Sequence, residues 1–249
     1  MLYAAINYTK ENHIAYLTLN RPETGNTINQ QMAQEIEAAC CQINQDDDIY
    51  VVLITGSGDR AFCAGGELAL LESNSYGVAT AIARLSQPVI VAINGDALGW
   101  GLELALSCDI RLASNKAKFG FPQIAEGLIP MDGGTQWLPR IIGKSKALEL
   151  ILTGEIISAP EALEIGLVNK VIAKEELVAE AETIAKTLTT KGPIALRYAK
   201  EAVNKGMDLT LEQGLHLEAD LYLLLHTTED RTEGIRAFLE KRTPKFKGR

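Results

Sequence analysis

The sequence predicts an α/β fold with a helical C-terminal part. Three observations lead there. Short apolar, β-branched runs alternate with amphipathic helical patterns through the first half of the chain. The alternation fades near Gly133, after which the periodicity is almost entirely helical. No low-complexity linker or short repeat interrupts the 249 residues. One core domain over residues 1–190 is therefore expected, followed by a helical segment over 191–249.

The elements follow in order. His13–Asn20 is a strand, ended by Arg21-Pro22. Asn26 and Thr27 offer N-caps for a helix that carries Ile28, Met32, Ile36, Ala39 and Ile43 on one face. Asp46-Asp47-Asp48 is a solvated break. Tyr50–Thr55 is a buried strand closed by Gly56-Ser57-Gly58. Pro88–Asn94 is a second buried strand. A glycine-rich turn then leads into a helical pattern over Leu102–Ser107, and Ile110–Ala113 is a short strand. Ser158-Ala159-Pro160-Glu161 reads as a capping box with proline in the first turn. Leu167–Ile172 is the last strand, and residues 174–190, 193–205, 209–226 and 229–241 are helices.

Composition narrows the function. The chain has 24 basic and 32 acidic side chains, a formal net charge of -8, which disfavours a general nucleic-acid or anionic-membrane surface. No apolar run approaches the roughly 20 residues of a membrane span. Met1-Leu2-Tyr3 opens no signal-peptide pattern, so a cytoplasmic chain is expected. Cys40, Cys41, Cys63 and Cys108 form no CxxC, and the adjacent pair is a poor disulfide. They read as reduced thiols. His13, His216 and His226 lack zinc-ligand spacing, so no metal is expected.

Three glycine-bearing segments stand out: Ala61-Phe62-Cys63-Ala64-Gly65-Gly66-Glu67, Asn94-Gly95-Asp96-Ala97-Leu98-Gly99-Trp100-Gly101-Leu102-Glu103, and Gly127 to Gln136. Each alone reads as a tight turn. The first two also put free backbone N–H groups at a helix start, where they stabilise a negatively charged oxygen. Glu103 lies three residues after Trp100 and shares its helix face. A carboxylate beside such donors fits acid–base chemistry next to an enolate or oxyanion.

These motifs resemble the enoyl-CoA hydratase/isomerase (crotonase) family. Cys108-Asp109-Ile110-Arg111, Gly133-Gly134-Thr135-Gln136, Leu152-Thr153-Gly154, and Ala162 with Gly166-Leu167-Val168 extend the likeness from about Ala5 to Arg249. The resemblance implies a crotonase-like spiral of ββα units with a helical C-terminal trimerisation segment. It implies a homotrimer or a homohexamer built as a dimer of trimers. The substrate would be a coenzyme A thioester, with no metal and no cofactor beyond the coenzyme A of the substrate.

Carried over by residue, the resemblance gives the Ala64 and Trp100 amides as the oxyanion hole. The family usually has glycine where Trp100 stands, and the indole is either core filler or a wall of the acyl pocket. Glu103 falls on the first of two catalytic glutamates. The second belongs after Phe119-Gly120-Phe121-Pro122, where this chain has Gln123, an amide that holds a water but cannot act as an acid. Glu126 and Asp132 are the carboxylates that could compensate, or else a surface and a turn residue. Ala61, Cys63, Gly65, Gly66 and Leu68 fall in the substrate-binding segment. Leu70, Leu71 and Tyr76 join Leu68 as candidates for lining the acyl tail. Tyr222 and Lys241 fall where the family offers an aromatic and a lysine to coenzyme A, often across a subunit boundary.

The expected reaction is hydration of an α,β-unsaturated acyl-CoA, or its reverse. A double-bond isomerase, decarboxylase, thioester hydrolase or catalytically weakened CoA-binding member is the alternative. The family's RNA-binding branch carries a lysine-rich first helix, and no Lys or Arg lies between Arg21 and Arg60 here.

Overall fold

The computed structural model describes residues 3–67 and 77–249. Leu68, Leu70, Leu71 and Tyr76 lie outside the described residues. The chain opens with β1 (Ile6–Glu11) and β2 (Ile14–Leu19), paired antiparallel, then α1 (Gln30–Asn44) and β3 (Val51–Gly56). β4 (Ala61–Cys63), α2 (Val78–Ala83), β5 (Val89–Ile93), β6 (Asp96–Leu98) and α3 (Trp100–Leu106) follow. After β7 (Ile110–Ser114) and β8 (Lys118–Gly120), a 3-10 turn spans Pro122–Glu126. α4 (Gly134–Ile142), α5 (Lys144–Thr153), β9 (Ile157–Ser158), α6 (Ala159–Glu164) and β10 (Lys170–Ile172) complete the mixed region. Then come α7 (Leu177–Thr189), α8 (Pro193–Gly206), α9 (Leu211–Leu225) and α10 (Glu229–Leu239).

Two sheets organise the core. The larger has strand order β1-β2-β3-β5-β7-β10 and is parallel from β2 onward. The smaller has order β4-β6-β8-β9. β3, β5 and β7 of the first sheet are each followed by a short strand of the second, and in two of these units a helix comes next. This ββα step delivers β3-β4-α2 and β5-β6-α3 in succession. Parallel strands covered on both faces read as continuous apolar runs, and β5 is buried at all five positions. Helix α7 lays Leu177, Ala181 and Ala185 on Val51, Leu53, Ile90 and Leu112 of the larger sheet. Burying one such leucine contributes about 1.5–3 kcal/mol.

Two sequence readings change. The cap of α1 is Asn29, whose side chain accepts from the Met32 N–H at 2.9 Å, not Asn26 or Thr27. Asn26 is instead fully buried at φ 57°, with its amide reaching Ser57 O and Ala61 O. It ties the turn after β2 to the start of β4. The last strand is shorter than expected, because Leu167 and Val168 bond back to Ala162 O and belong to the end of α6.

The C-terminal helices attach through α8. Lys200 Nζ pairs with Asp109 at 2.7 Å and donates to Gln87 O, and Arg197 reaches Asp47 at 3.2 Å. On α9 and α10, Leu211, Leu215, Tyr222, Leu223, Phe238 and Leu239 leave large apolar side chains exposed. Among the described residues, no helix is long and apolar enough to cross a membrane.

Candidate active site

The turn from β6 into α3 fixes the centre of the site. Gly99 sits at φ 51°, where side-chain-bearing residues are rare. It reverses the chain so that α3 starts against β4. The approach is so close that a Cβ on Gly101 would stand 2.1 Å from the Cys63 carbonyl oxygen. The Leu102 and Glu103 amides both donate to Gly99 O. The Trp100 amide, at the first helical position, has no acceptor among the described residues.

The second expected donor is corrected. The Ala64 N–H donates to Gly25 O at 3.0 Å and is therefore spent on the fold. The chain continues as a bridge to Ile28, with Ile28 N–H on Gly65 O and Glu67 N–H on Ile28 O. That alternation leaves the Gly66 N–H, two residues beyond Ala64, without a partner among the described residues. Gly66 and Trp100 line one pocket of about 180 Å³. Sequence reasoning counted Gly66 as a substrate contact and missed it as a donor. The register of the Ile28 bridge decides which amide is free, and that pairing is not local in sequence.

The Trp100 side chain is both core and wall. It is 9% exposed, lines the pocket, and packs its six-membered ring on Gly66. A Cβ at Gly66 would lie 2.5 Å from Trp100 Cε3 and 2.7 Å from Cδ2.

Glu103 is completely buried one turn into α3. Its Oε1 accepts the Asp132 N–H at 2.7 Å and the Gly134 N–H at 2.8 Å. Its Oε2 has no partner among the described residues. Burial pushes this carboxyl up to about 7, against the two amides that favour the charged form, and the neighbouring Asp132 charge adds to the rise. A group poised there can both take and give a proton near neutral pH.

Gln123 stands at the start of the 3-10 turn and lines the same pocket. Its Oε1 is buried without a partner among the described residues, and it lies over the Gly99 turn, 3.5 Å from where a Cβ on Gly99 would be. Glu126 is exposed at the pocket rim, with Leu128, Ile129 and Met131 beside it.

Asp132 is also corrected. Its carboxylate does not open to the pocket but accepts the Ala79 N–H at 2.6 Å, the Thr80 N–H at 3.3 Å and the Thr80 hydroxyl at 3.0 Å. It caps α2, and only its backbone N–H reaches Glu103.

Of the other expected contacts, Gly65 lines the pocket. Ala61 and Cys63 have buried side chains in β4 and do not line it. Tyr222 is exposed on α9, edge-on to His226, and Lys241 is exposed past α10; neither lines the pocket. Leu68 lies outside the described residues. The buried thiols of Cys40, Cys63 and Cys108 are each pushed up to about 12 by burial, so they are protonated at neutral pH. Among the described residues, no group of three or more His, Cys, Asp or Glu side chains could hold a metal ion.

The geometry therefore joins two free amides and the Gln123 amide around a single pocket. The Glu103 carboxyl is buried behind it and does not line it, one helical turn from the Trp100 amide. Comparison with known proteins gives the family. Residues 9–249 match the model of the enoyl-CoA hydratase/isomerase family. A crotonyl-CoA hydratase of Syntrophomonas wolfei is 42% identical over 257 residues, covering 99% of each chain. A short-chain-enoyl-CoA hydratase of Clostridium acetobutylicum is 38% identical and covers 94% of each. The crystal structure of an enoyl-CoA hydratase from Bacillus anthracis superposes with a TM-score of 0.95 at 40% identity, covering 99% of this chain and 100% of that one. With its crotonase-like α/β architecture matched from end to end, the chain belongs to the enoyl-CoA hydratase/isomerase family.

Proposed function

We propose that this protein is a lyase that adds water to an α,β-unsaturated acyl-CoA, or removes it in the reverse direction. The observation that carries the reading is the buried Glu103 carboxyl, held by two amides at Oε1 and free at Oε2, one helical turn from Trp100, whose unpartnered amide lines the pocket with that of Gly66. The hydratase names of the relatives at 38% and 42% identity support the same reaction.

The thioester carbonyl oxygen accepts from the Gly66 and Trp100 N–H groups. This draws electron density from the double bond and stabilises the enolate oxygen. Removing one such donor typically costs about 10²–10³ in rate. Glu103 Oε2 takes a proton from water as the water oxygen bonds to Cβ, and the Cα–Cβ π electrons move to the enolate. The enolate then re-forms its carbonyl as Cα takes a proton. Gln123 Oε1 accepts a hydrogen bond from the attacking water and orients it. It supplies no acid, so the Cα proton comes back from Glu103 or through a water. One carboxyl poised near 7 serves both transfers, and the carboxylate is regenerated with H and OH added across the bond. Glu126, at the pocket rim, is the remaining carboxyl within the same opening.

No step calls for a cofactor beyond the coenzyme A of the substrate. Tyr222 and Lys241 meet that coenzyme A across a subunit boundary, and the exposed apolar face of α9 and α10 supports a homotrimer or a dimer of trimers. The test is loss of the enoyl-thioester absorbance of crotonyl-CoA, with 3-hydroxybutyryl-CoA identified as product. Turnover at a rate above that of the Glu103→Gln variant is expected. No hydration by the wild-type protein, or conversion of a 3-enoyl-CoA alone, would overturn the reading.

A further inference from the structure

Helix α2 begins with an unusual cap. Its N-cap residue is Gly77, at φ 122°, which has no side chain to offer. The cap comes instead from Asp132, 53 residues away, through the Ala79 N–H at 2.6 Å and both donors of Thr80. Asp132 is 6% exposed. The same residue gives its backbone N–H to Glu103 Oε1 at 2.7 Å, and Gly134, two residues on, gives the other. The loop that holds Glu103 is thus pinned at its other end to the first turn of α2.

We propose that Asp132 is a positioning residue for the hydration reaction: its carboxylate anchors the 131–134 loop on α2 so that its backbone N–H fixes the Glu103 carboxyl, and it lays a negative charge beside that carboxyl. The inference rests on the hydration reading only for its kinetic consequence. Burial pushes the Asp132 carboxyl up, and the three donors oppose that rise and favour its charged form. An ordinary turn aspartate would be exposed and would face solvent. Among the ionisable groups brought by the elements around Glu103, α2 has none, β4 brings the protonated Cys63 thiol, β6 brings Asp96, α4 brings the exposed Arg140, and the 3-10 turn brings the exposed Glu126. Asp132 is the one whose charge acts on Glu103, raising its proton affinity beyond what burial alone does.

The consequence is that two functions of one residue can be separated. Asp132→Asn keeps an acceptor for α2 but removes the charge. Asp132→Ala removes both. Thr80→Val removes one donor and keeps the charge.

The Glu103 carboxyl can be read without substrate, from the protonated-carboxyl band in infrared titrations, assigned by its loss in Glu103→Gln. In Asp132→Asn the midpoint of that band falls by about half a pH unit or more. The acid limb of kcat/KM on crotonyl-CoA falls with it. In Asp132→Ala kcat drops roughly 10-fold or more, since small misplacements of a reacting group are costly, while KM changes less. Thr80→Val lowers kcat and leaves the band in place. An unmoved band in Asp132→Asn overturns the charge role, and unchanged kcat in both Asp132→Ala and Thr80→Val overturns the anchoring role. If the wild-type protein does not turn over crotonyl-CoA, the hydration reading fails, while the infrared titration still decides what Asp132 does to Glu103.

Discussion

A methyl group at Gly66 should disable the site in the presence of Trp100 and be tolerated in its absence. Gly66 has no left-handed φ, so its backbone accepts alanine, and the obstacle is the indole alone. The new Cβ would meet Cε3 at 2.5 Å, Cδ2 at 2.7 Å and Cζ3 at 3.1 Å. Carbon atoms rest at about 3.5–4.0 Å, so something must move by about 1 Å. Overpacking of this kind costs about 1–3 kcal/mol, or roughly 2–4 °C in Tm for each kcal/mol in a chain of this size. The moving parts carry the two free amides. A displacement of about 1 Å there should lower kcat/KM on crotonyl-CoA by about 10²-fold. Trp100→Ala leaves room for the methyl group, so the double variant should exceed the product of the single effects by about 1 kcal/mol or more. The assay is kcat/KM and Tm for all four proteins. Gly66→Ala with activity within about twofold of wild type, or strict additivity of the two changes, would refute the claim that indole and glycine are fitted to each other.

Three further outcomes follow from the same geometry. Glu103→Gln should lower kcat by about 10²-fold or more while CoA binding stays nearly intact, and retention of more than about a tenth of the activity would remove Glu103 from the mechanism. That variant also reports stability: burial lifts the Glu103 carboxyl from 4.5 to about 7, so its contribution to stability is fullest below pH 4.5 and is lost as pH rises through about 7. The lost stability is on the order of 3 kcal/mol, so Tm of Glu103→Gln should gain on wild type across that window, and a Tm difference independent of pH would contradict it. Gln123→Glu is nearly isosteric and should raise crotonyl-CoA hydration about 10-fold, since it adds an acid to the pocket; an unchanged or lower kcat/KM would direct attention to Glu126. EDTA should leave turnover intact, and a stoichiometric metal needed for activity would sink the metal-free reading.

The long elements were legible because their signals are local. β3 and β5 are apolar runs closed by glycine or proline, and the Ser158 capping box formed as its spacing requires. β1, with the exposure of an edge strand, carries too few apolar residues to declare itself. β4, β6, β8 and β9 have two or three residues each, too short for any period, yet they form the sheet that brings the pocket-lining segments together. The placing of Glu103 one turn from the Trp100 amide is legible because the two lie three residues apart on α3. The Ala64 amide reads as free because nothing local tells that Gly25, 39 residues earlier, takes it. Asp132 reads as a turn residue until α2 is placed against it.

Glu103 and Gln123 together explain why the departure from the usual pair of glutamates need not disarm the site. Two carboxylates facing one small pocket would raise each other's proton affinity, and one would be held protonated as the acid. Here the amide at position 123 removes that partner. The rise on Glu103 comes instead from its own burial and from Asp132, whose charge is turned toward α2 and not toward the substrate. In the mechanism we propose, the acid function moves from a second residue in the pocket to Glu103 itself, whose carboxyl is pushed up to about 7 with one oxygen still free. A single carboxyl tuned in this way must lose and regain one proton in every turnover. The rate of the chain should then depend on how well the 131–134 loop holds Oε1 while Oε2 does the chemistry.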